Sequence, residues 1–210
     1  MVQCLLLFGA LPVWLAWAKL FGGWAVPIIP VLVGLSLLIG LQLARDPEFR
    51  WREQLGGGFE RADLAPVLRR FAISGALLTL VLGLVEPSLL FGFPRQRPWF
   101  WALVMVGYPV LSVLPQEFLY RTYFFHRYEA WLGRWTVPAS ALAFCVAHLL
   151  FGNWVALALT LIGGGFFART FERTRSLLLA SIEHALYGQL VFTIGLGEFF
   201  YGGTVRALGG

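Results

Sequence analysis

The stretch PQEFLYR, residues 115–121, determines how this chain is interpreted, because it places a carboxylate and a guanidinium inside an otherwise apolar segment. Residues four apart lie on the same face of an α-helix, so Glu117 and Arg121 are expected to pair across one turn. An ionisable residue in a membrane-spanning helix is costly and marks a functional site by default. The stretch therefore predicts a buried polar site inside a membrane helix.

The composition predicts an all-α polytopic membrane protein, a bundle of helices in a lipid bilayer. Hydrophobic residues make up 59% of the 210 positions and charged residues 13%, with a mean hydropathy of +0.74. A soluble domain carries about 25% charged residues. The net charge of +5 comes from basic residues between apolar runs. They therefore indicate membrane orientation, and we expect no nucleic-acid partner because no basic and aromatic surface module is visible.

Apolar run lengths predict seven spans, although eight spans or six spans with a re-entrant piece also fit. The predicted spans are about 2–18, 25–44, 70–92, 99–125, 137–152, 154–168 and 176–200. Residues 1–98 form N-terminal membrane helices with an Arg-rich segment at 45–69, residues 99–200 form the core with the site, and residues 201–210 form a short tail. Since no basic residue precedes the first apolar run, we expect a retained span rather than a cleaved signal peptide.

The basic residues orient the bundle. If segment 45–69 is cytoplasmic, the basic residues on that side greatly outnumber those on the other, in agreement with the positive-inside rule. The cytoplasmic set is Arg45, Arg50, Arg52, Arg61, Arg69, Arg70, Arg127, Arg134, Arg169, Arg173 and Arg175, and the opposite set is Lys19, Arg95, Arg97 and Arg206.

Two histidines in other apolar segments are predicted to reach the depth of Glu117. By residue count, Glu117, His148 and His184 lie roughly 12, 16 and 12 Å from the cytoplasmic ends of their spans, at 1.5 Å per residue. Glu117 could act as a general base or acid, lock Arg121, or bind a metal. Zinc bound by Glu117, His148 and His184 is a minority interpretation, and no cofactor is expected. We assign no role to His126.

Taken together, these motifs resemble the CPBP (Abi) family, which contains the CAAX prenyl endopeptidases. The family signature is Glu-Glu-x-x-x-Arg, then Phe-x-x-x-His, then His-x-x-x-Asn. Glu117 and Arg121 match the first motif, Phe144 and His148 the second, and His184 the third. The resemblance covers roughly residues 99–200.

The resemblance implies an intramembrane endopeptidase of the glutamate type. In the family the first Glu, whose place Gln116 takes here, and the first His are held to activate a water molecule. We expect Glu117 to take over as base together with His148, and His184 to stabilise the oxyanion. Gln116, Arg121, Phe144 and Tyr187 would support them. Two positions depart from the signature: Gln116 replaces the first Glu, and Gly188 replaces the Asn.

These two departures leave a second hypothesis open, a non-catalytic membrane scaffold or immunity-type binding protein of the same fold. A proton-coupled transporter is a third class that uses intramembrane Glu, His and Arg. For the leading hypothesis we expect a peptide or membrane-protein substrate. We expect the protein to lie in a bacterial inner membrane.

Overall fold

A computed structural model describes residues 2–24, 26–56 and 59–200, and these residues fold almost entirely into helices. The all-α prediction is confirmed. The helices are α1 (Val2–Leu20), α2 (Ile28–Ala44), α3 (Trp51–Gly56), α4 (Arg61–Val85), α5 (Gly92–Gln96), α6 (98–132), α7 (Thr136–Ala147), α8 (Trp154–Thr174) and α9 (Leu177–Ile194). Short 3₁₀ turns cover Pro87–Leu89, Gly133–Trp135, His148–Phe151 and Leu196–Phe200. The predicted tail, 201–210, lies outside the described residues.

Five helical stretches of the described residues are long and apolar enough to cross a membrane, and the longest is Pro98–Phe151. Within it, the Ser140 hydroxyl donates to the Tyr120 carbonyl at 2.6 Å. Along a straight helix these residues would be about 30 Å apart. The chain therefore reverses between α6 and α7, where Gly133 has a φ of +52°. Counting α6 and α7 separately and adding the shorter apolar helix α2 gives seven segments, which correspond to the seven predicted spans. The number of spans remains a prediction.

Several helices extend past the predicted spans at the charged end. α4 begins at Arg61 rather than at residue 70, and the Asp63 carboxylate accepts the backbone N–H of Glu60 at 3.0 Å as part of a capping box. α6 continues to residue 132 and α8 to Thr174. Hydropathy marks only the apolar part of a helix, so polar terminal turns were missed.

Contacts at the two ends of the bundle fix the directions of the helices. At one end, the Lys19 ammonium at the end of α1 donates to the Leu150 carbonyl after α7, at 3.0 Å. At the other end, His126 of α6 contacts the Asp46 carboxylate, just after α2, at 3.1 Å. α1 and α7 thus finish at one end of the bundle, while α2 and α6 finish at the opposite end.

The site lies where α6, α7, α8 and α9 pack around buried aromatic rings. Phe144 of α7 and Phe167 of α8 are 1% and 3% exposed. The close approach of α7 and α8 depends on Gly164, where a Cβ would lie 3.0 Å from the Phe144 ring and 3.4 Å from the Ala141 backbone. Gly164 therefore allows α8 to pack closely against the helix that carries Phe144.

Candidate active site

Glu117 is the centre of a fully buried charged group. Its carboxylate has no exposed surface, and neither has the Arg121 guanidinium, whose Nε lies 3.1 Å from Glu117 Oε2. The other oxygen, Oε1, lies 2.9 Å from Nδ1 of His184 on α9. The predicted Glu117–Arg121 pair is present, and the structure joins it directly to the predicted His184.

Arg121 is fixed on its far side by α7. Its Nη1 donates to the Ser140 hydroxyl at 2.6 Å, and its Cζ lies 5.2 Å from the centre of the Phe144 ring. A planar guanidinium is well suited to such combined hydrogen bonding and stacking. Arg121 therefore supplies the positive charge beside Glu117 and ties α6 to α7.

Tyr108 is a site residue that the sequence analysis missed. Its hydroxyl lies 3.1 Å from Nε2 of His184. Because an ionised Glu117 can only accept hydrogen bonds, His184 must carry its proton on Nδ1 to bond it. In a neutral imidazole Nε2 is then an acceptor, so the Tyr108 hydroxyl donates to it. Tyr108, His184 and Glu117 thus form a hydrogen-bonded chain, and Glu117 is in turn ion-paired with Arg121.

A local change in helix geometry explains why Tyr108 escaped the sequence analysis. Tyr108 and Glu117 are nine residues apart, which in a regular α-helix of 3.6 residues per turn places them on opposite faces. Between them lies a π-helical turn, Pro109–Val113, and a second one, Phe118–Tyr123, follows Glu117. A π-bulge widens the helix by roughly one residue and shifts the face of everything beyond it. Both side chains therefore reach the same imidazole.

His148 lies at the end of α7, where the helix tightens into the 3₁₀ turn His148–Phe151. Its Nδ1 is 2.7 Å from the Phe144 carbonyl oxygen. A carbonyl can only accept, so Nδ1 carries the proton and Nε2 of the neutral ring holds the lone pair. His148 is half-buried and packs on Phe151 and Phe200.

The two site histidines share an aromatic wall. The Phe144 ring centre lies 4.5 Å from that of His148 and 5.3 Å from that of His184, so both imidazoles contact this ring. Phe167 stacks on His184 at 4.6 Å with the rings 13° from parallel. The predicted supporting residue Phe144 is therefore in contact with both histidines and with Arg121.

A second buried carboxylate, Glu183, lies beside His184 in the chain and has partners of its own. Arg70 of α4 donates from Nε to Glu183 Oε1 at 2.9 Å, and the Thr170 hydroxyl of α8 donates to Oε2 at 2.6 Å. The Glu183 side chain has no exposed surface. This cluster joins α4, α8 and α9 next to the site and was not assigned from the sequence.

Two predicted supporting residues point elsewhere. The Gln116 amide donates to the Ser112 carbonyl at 3.1 Å and to its hydroxyl at 2.8 Å, within its own helix. The Tyr187 hydroxyl pairs with Ser74 of α4 at 2.7 Å. Neither contact leads to Glu117 or His184.

The described residues contain no group of three His, Cys, Asp or Glu side chains placed to hold a metal ion. Glu117 and His184 are hydrogen-bonded to each other, and His148 and His184 both contact the Phe144 ring. The three residues of the minority zinc hypothesis are thus not among any such group in this arrangement.

One segment of the chain is similar to a known protein family. Residues 97–189, a little under half of the chain, match a family described as type II CAAX prenyl endopeptidase Rce1-like. The chain is similar to this family over that segment. The resemblance inferred from the motifs is thereby confirmed, and the Rce1-like segment spans the whole hydrogen-bonded chain from Tyr108 to His184. No curated protein and no solved structure matches the chain.

Proposed function

We propose that this chain is an intramembrane endopeptidase that cleaves a peptide bond in the cytoplasmic half of the bilayer. The observation that carries the proposal is the buried Glu117 carboxylate, bonded to His184 and Arg121 within the Rce1-like segment. An ionisable group buried in a membrane helix indicates a functional site, and a carboxylate paired with a histidine on another helix can act in general acid–base catalysis.

Glu117 is the proposed general base. A carboxylate offers about four lone-pair positions, and His184 and Arg121 occupy two of them. As the water oxygen bonds to the scissile carbonyl carbon, Glu117 takes the water proton and the carbonyl electron pair moves to oxygen. The negative charge thus moves from Glu117 to the oxyanion. When the intermediate collapses, the C–N bond breaks and the proton on Glu117 passes to the amine nitrogen.

His148 is the proposed partner in holding the water. Its Nδ1–H donates to the Phe144 carbonyl, so Nε2 is the ring nitrogen that can accept a hydrogen bond from water. His184, which is hydrogen-bonded to Glu117 and stacked on the Phe167 ring, would lie beside the oxyanion. The substrate would be a peptide or a membrane protein, and the host membrane a bacterial inner membrane.

The alternative is a non-catalytic scaffold or binding protein, which Gln116 favours. Its amide nitrogen donates hydrogen bonds to Ser112 of its own helix. That nitrogen is therefore not directed at a water or substrate beside Glu117. In that case the Glu117–Arg121–His184 group would only hold α6 against α9, and Glu117→Gln would leave the biological phenotype intact.

Cleavage of a peptide library by purified protein in nanodiscs tests the proposal. Wild type, Glu117→Gln and His148→Ala are compared, each with and without a chelator. Glu129→Gln is the matched control, because Glu129 lies on the same helix in an exposed pair with Arg175. We expect loss of at least about 100-fold in kcat for both site variants, the low end for a general base.

Three results would change this conclusion. Unchanged cleavage by Glu117→Gln refutes the proposed base. Loss of wild-type activity with the chelator would instead support a metal site. No cleavage by wild type, with a gain in Gln116→Glu, would support a scaffold that has lost its chemistry.

A further inference from the structure

Gly188 and Tyr108 fit each other in a way that the proposed function does not use. A Cβ at position 188 would lie 2.3 Å from Cε1 of Tyr108 and 2.4 Å from its hydroxyl oxygen. Contacts under 3.0 Å are essentially never seen, so any side chain at this position would displace the tyrosine. The Tyr108 ring thus occupies the volume that a residue one turn after His184 would otherwise fill.

The donors around His184 show why this hydroxyl matters. The single proton of a neutral His184 is on Nδ1 and is directed to Glu117, at 2.9 Å. Its Nε2 is an acceptor and cannot stabilise a negative oxygen. The hydroxyl that reaches Nε2 is that of Tyr108, at 3.1 Å. Among these groups, an uncharged donor for an oxyanion beside His184 is therefore found on Tyr108.

We propose that the Tyr108 hydroxyl, admitted by the absence of a side chain at Gly188, is the catalytic hydrogen-bond donor to the oxyanion. This assignment rests on the proposed function and makes it more specific. In the resting protein the hydroxyl hydrogen points to His184 Nε2. As charge develops on the carbonyl oxygen, the hydrogen turns about the phenolic C–O bond and donates to it. No covalent bond to Tyr108 forms or breaks.

The change of partner is favourable because the new acceptor is charged. Hydrogen bonds to ionised acceptors are roughly twice as strong as neutral ones. The ring itself need not move, since Tyr108 packs edge-on against Phe192 with ring centres 5.2 Å apart. Only the hydroxyl hydrogen then has to reorient, which keeps small the reorganisation that opposes electrostatic stabilisation of a transition state.

The test is the cleavage kinetics of Tyr108→Phe, with Tyr128→Phe as the matched control. Tyr128 is a buried tyrosine on the same helix, 5% exposed, in the cluster around Phe8 and Phe124. Removing one oxyanion donor costs about 100- to 1000-fold in kcat. We expect that loss for Tyr108→Phe, with KM changed less than about threefold, and wild-type kinetics for the control. A Tyr108→Phe variant that keeps the wild-type kcat overturns the assignment to Tyr108 alone.

A second variant displaces the hydroxyl without deleting it. Gly188→Ala should push Tyr108 away and lower kcat as Tyr108→Phe does. The double variant should lose no more than the worse single variant, because both remove the same interaction. Losses that multiply in the double variant would refute a shared role.

An activity-independent measurement separates this inference from the proposed function. The chain has three histidines, so ¹⁵N-histidine spectra in nanodiscs resolve His184. In Tyr108→Phe we expect the Nε2 resonance of His184 to shift while that of His148 stays in place. If the wild type cleaves nothing, both proposals fall, even where the spectra show the contact. If the wild type cleaves and the His184 resonance does not move, only the Tyr108 assignment falls.

Discussion

Replacing Arg70 with methionine is expected to destabilise the protein more than any other change in the Glu183 cluster. The Glu183 carboxylate has no exposed surface, and without Arg70 it would retain only the hydrogen bond from Thr170. Breaking a buried ion pair by removing one partner costs about 3–5 kcal/mol, because the remaining charge is uncompensated. The Arg70 side chain is 26% exposed, so water weakens the pair and the low end, about 3 kcal/mol, applies.

The same reasoning predicts that a second substitution repairs the first. Glu183→Gln alone converts charge-assisted hydrogen bonds, worth about 1.5–3 kcal/mol, into neutral ones worth about 0.5–1.5, so it should cost about 1–2 kcal/mol. In the Arg70→Met background, however, Glu183→Gln removes the unpaired charge. The double variant should therefore be more stable than Arg70→Met by about 1–2 kcal/mol, within the usual range of coupling between residues in contact.

Reversible unfolding in mixed micelles measures these differences. Arg169→Met is the matched control, because Arg169 pairs with Glu172 at an exposed site of α8, its side chain being 61% exposed. Exposed pairs contribute about 0–1 kcal/mol. If Arg70→Met costs no more than Arg169→Met, or if Glu183→Gln further destabilises Arg70→Met, the account of Glu183 as a buried charge held by Arg70 is wrong.

Three further predictions follow from other contacts. Gln116→Glu should destabilise by about 1–3 kcal/mol in a denaturation assay, since a carboxylate cannot donate to the Ser112 carbonyl that the amide now serves. The hydrogen bond from His126, and a weaker one from the backbone, hold the pKa of Asp46 below its ordinary 3.8. That contact therefore adds stability above this pH and loses it as the pH falls through the lowered pKa, and melting curves of Asp46→Asn should lack this acid-side loss. Phe167→Leu should cost less than about 1.5 kcal/mol in melting experiments but lower kcat, because the ring that stacks on the His184 imidazole is lost.

The helical fold was largely predictable because apolar run length carries most of the information in a membrane chain. Helices α1, α2, α7 and α9 overlap their predicted spans closely. The errors lie at polar helix ends, as at α4, where a capping box at Glu60 and Asp63 starts the helix before the apolar run does. Hydropathy does not take capping hydrogen bonds into account, so it cannot predict polar turns of this kind.

The site was predictable only in part, since side-chain pairing depends on helix rotation. The residue count predicted that Glu117 and His184 lie at a similar depth in their helices. In the structure the two side chains form a direct hydrogen bond. Tyr108 could not be found by helical periodicity, because the π-turn at Pro109–Val113 changes the face on which it lies. A proline directly after a tyrosine, with a second proline six residues later, was the available signal. Prolines in a membrane helix mark places where regular spacing fails.

The two departures from the family signature differ in kind. The space above Gly188 is filled by a phenol from another helix, whose hydroxyl reaches the same histidine that an asparagine at 188 would have adjoined. A change of residue there is compatible with retained chemistry, because a hydrogen-bond donor is still present. At Gln116 the structure provides no such replacement, since its amide bonds Ser112 of its own helix. Water activation would therefore depend on Glu117 and His148 alone. For that reason Glu117→Gln tests the proposed activity more strictly than any change at position 116.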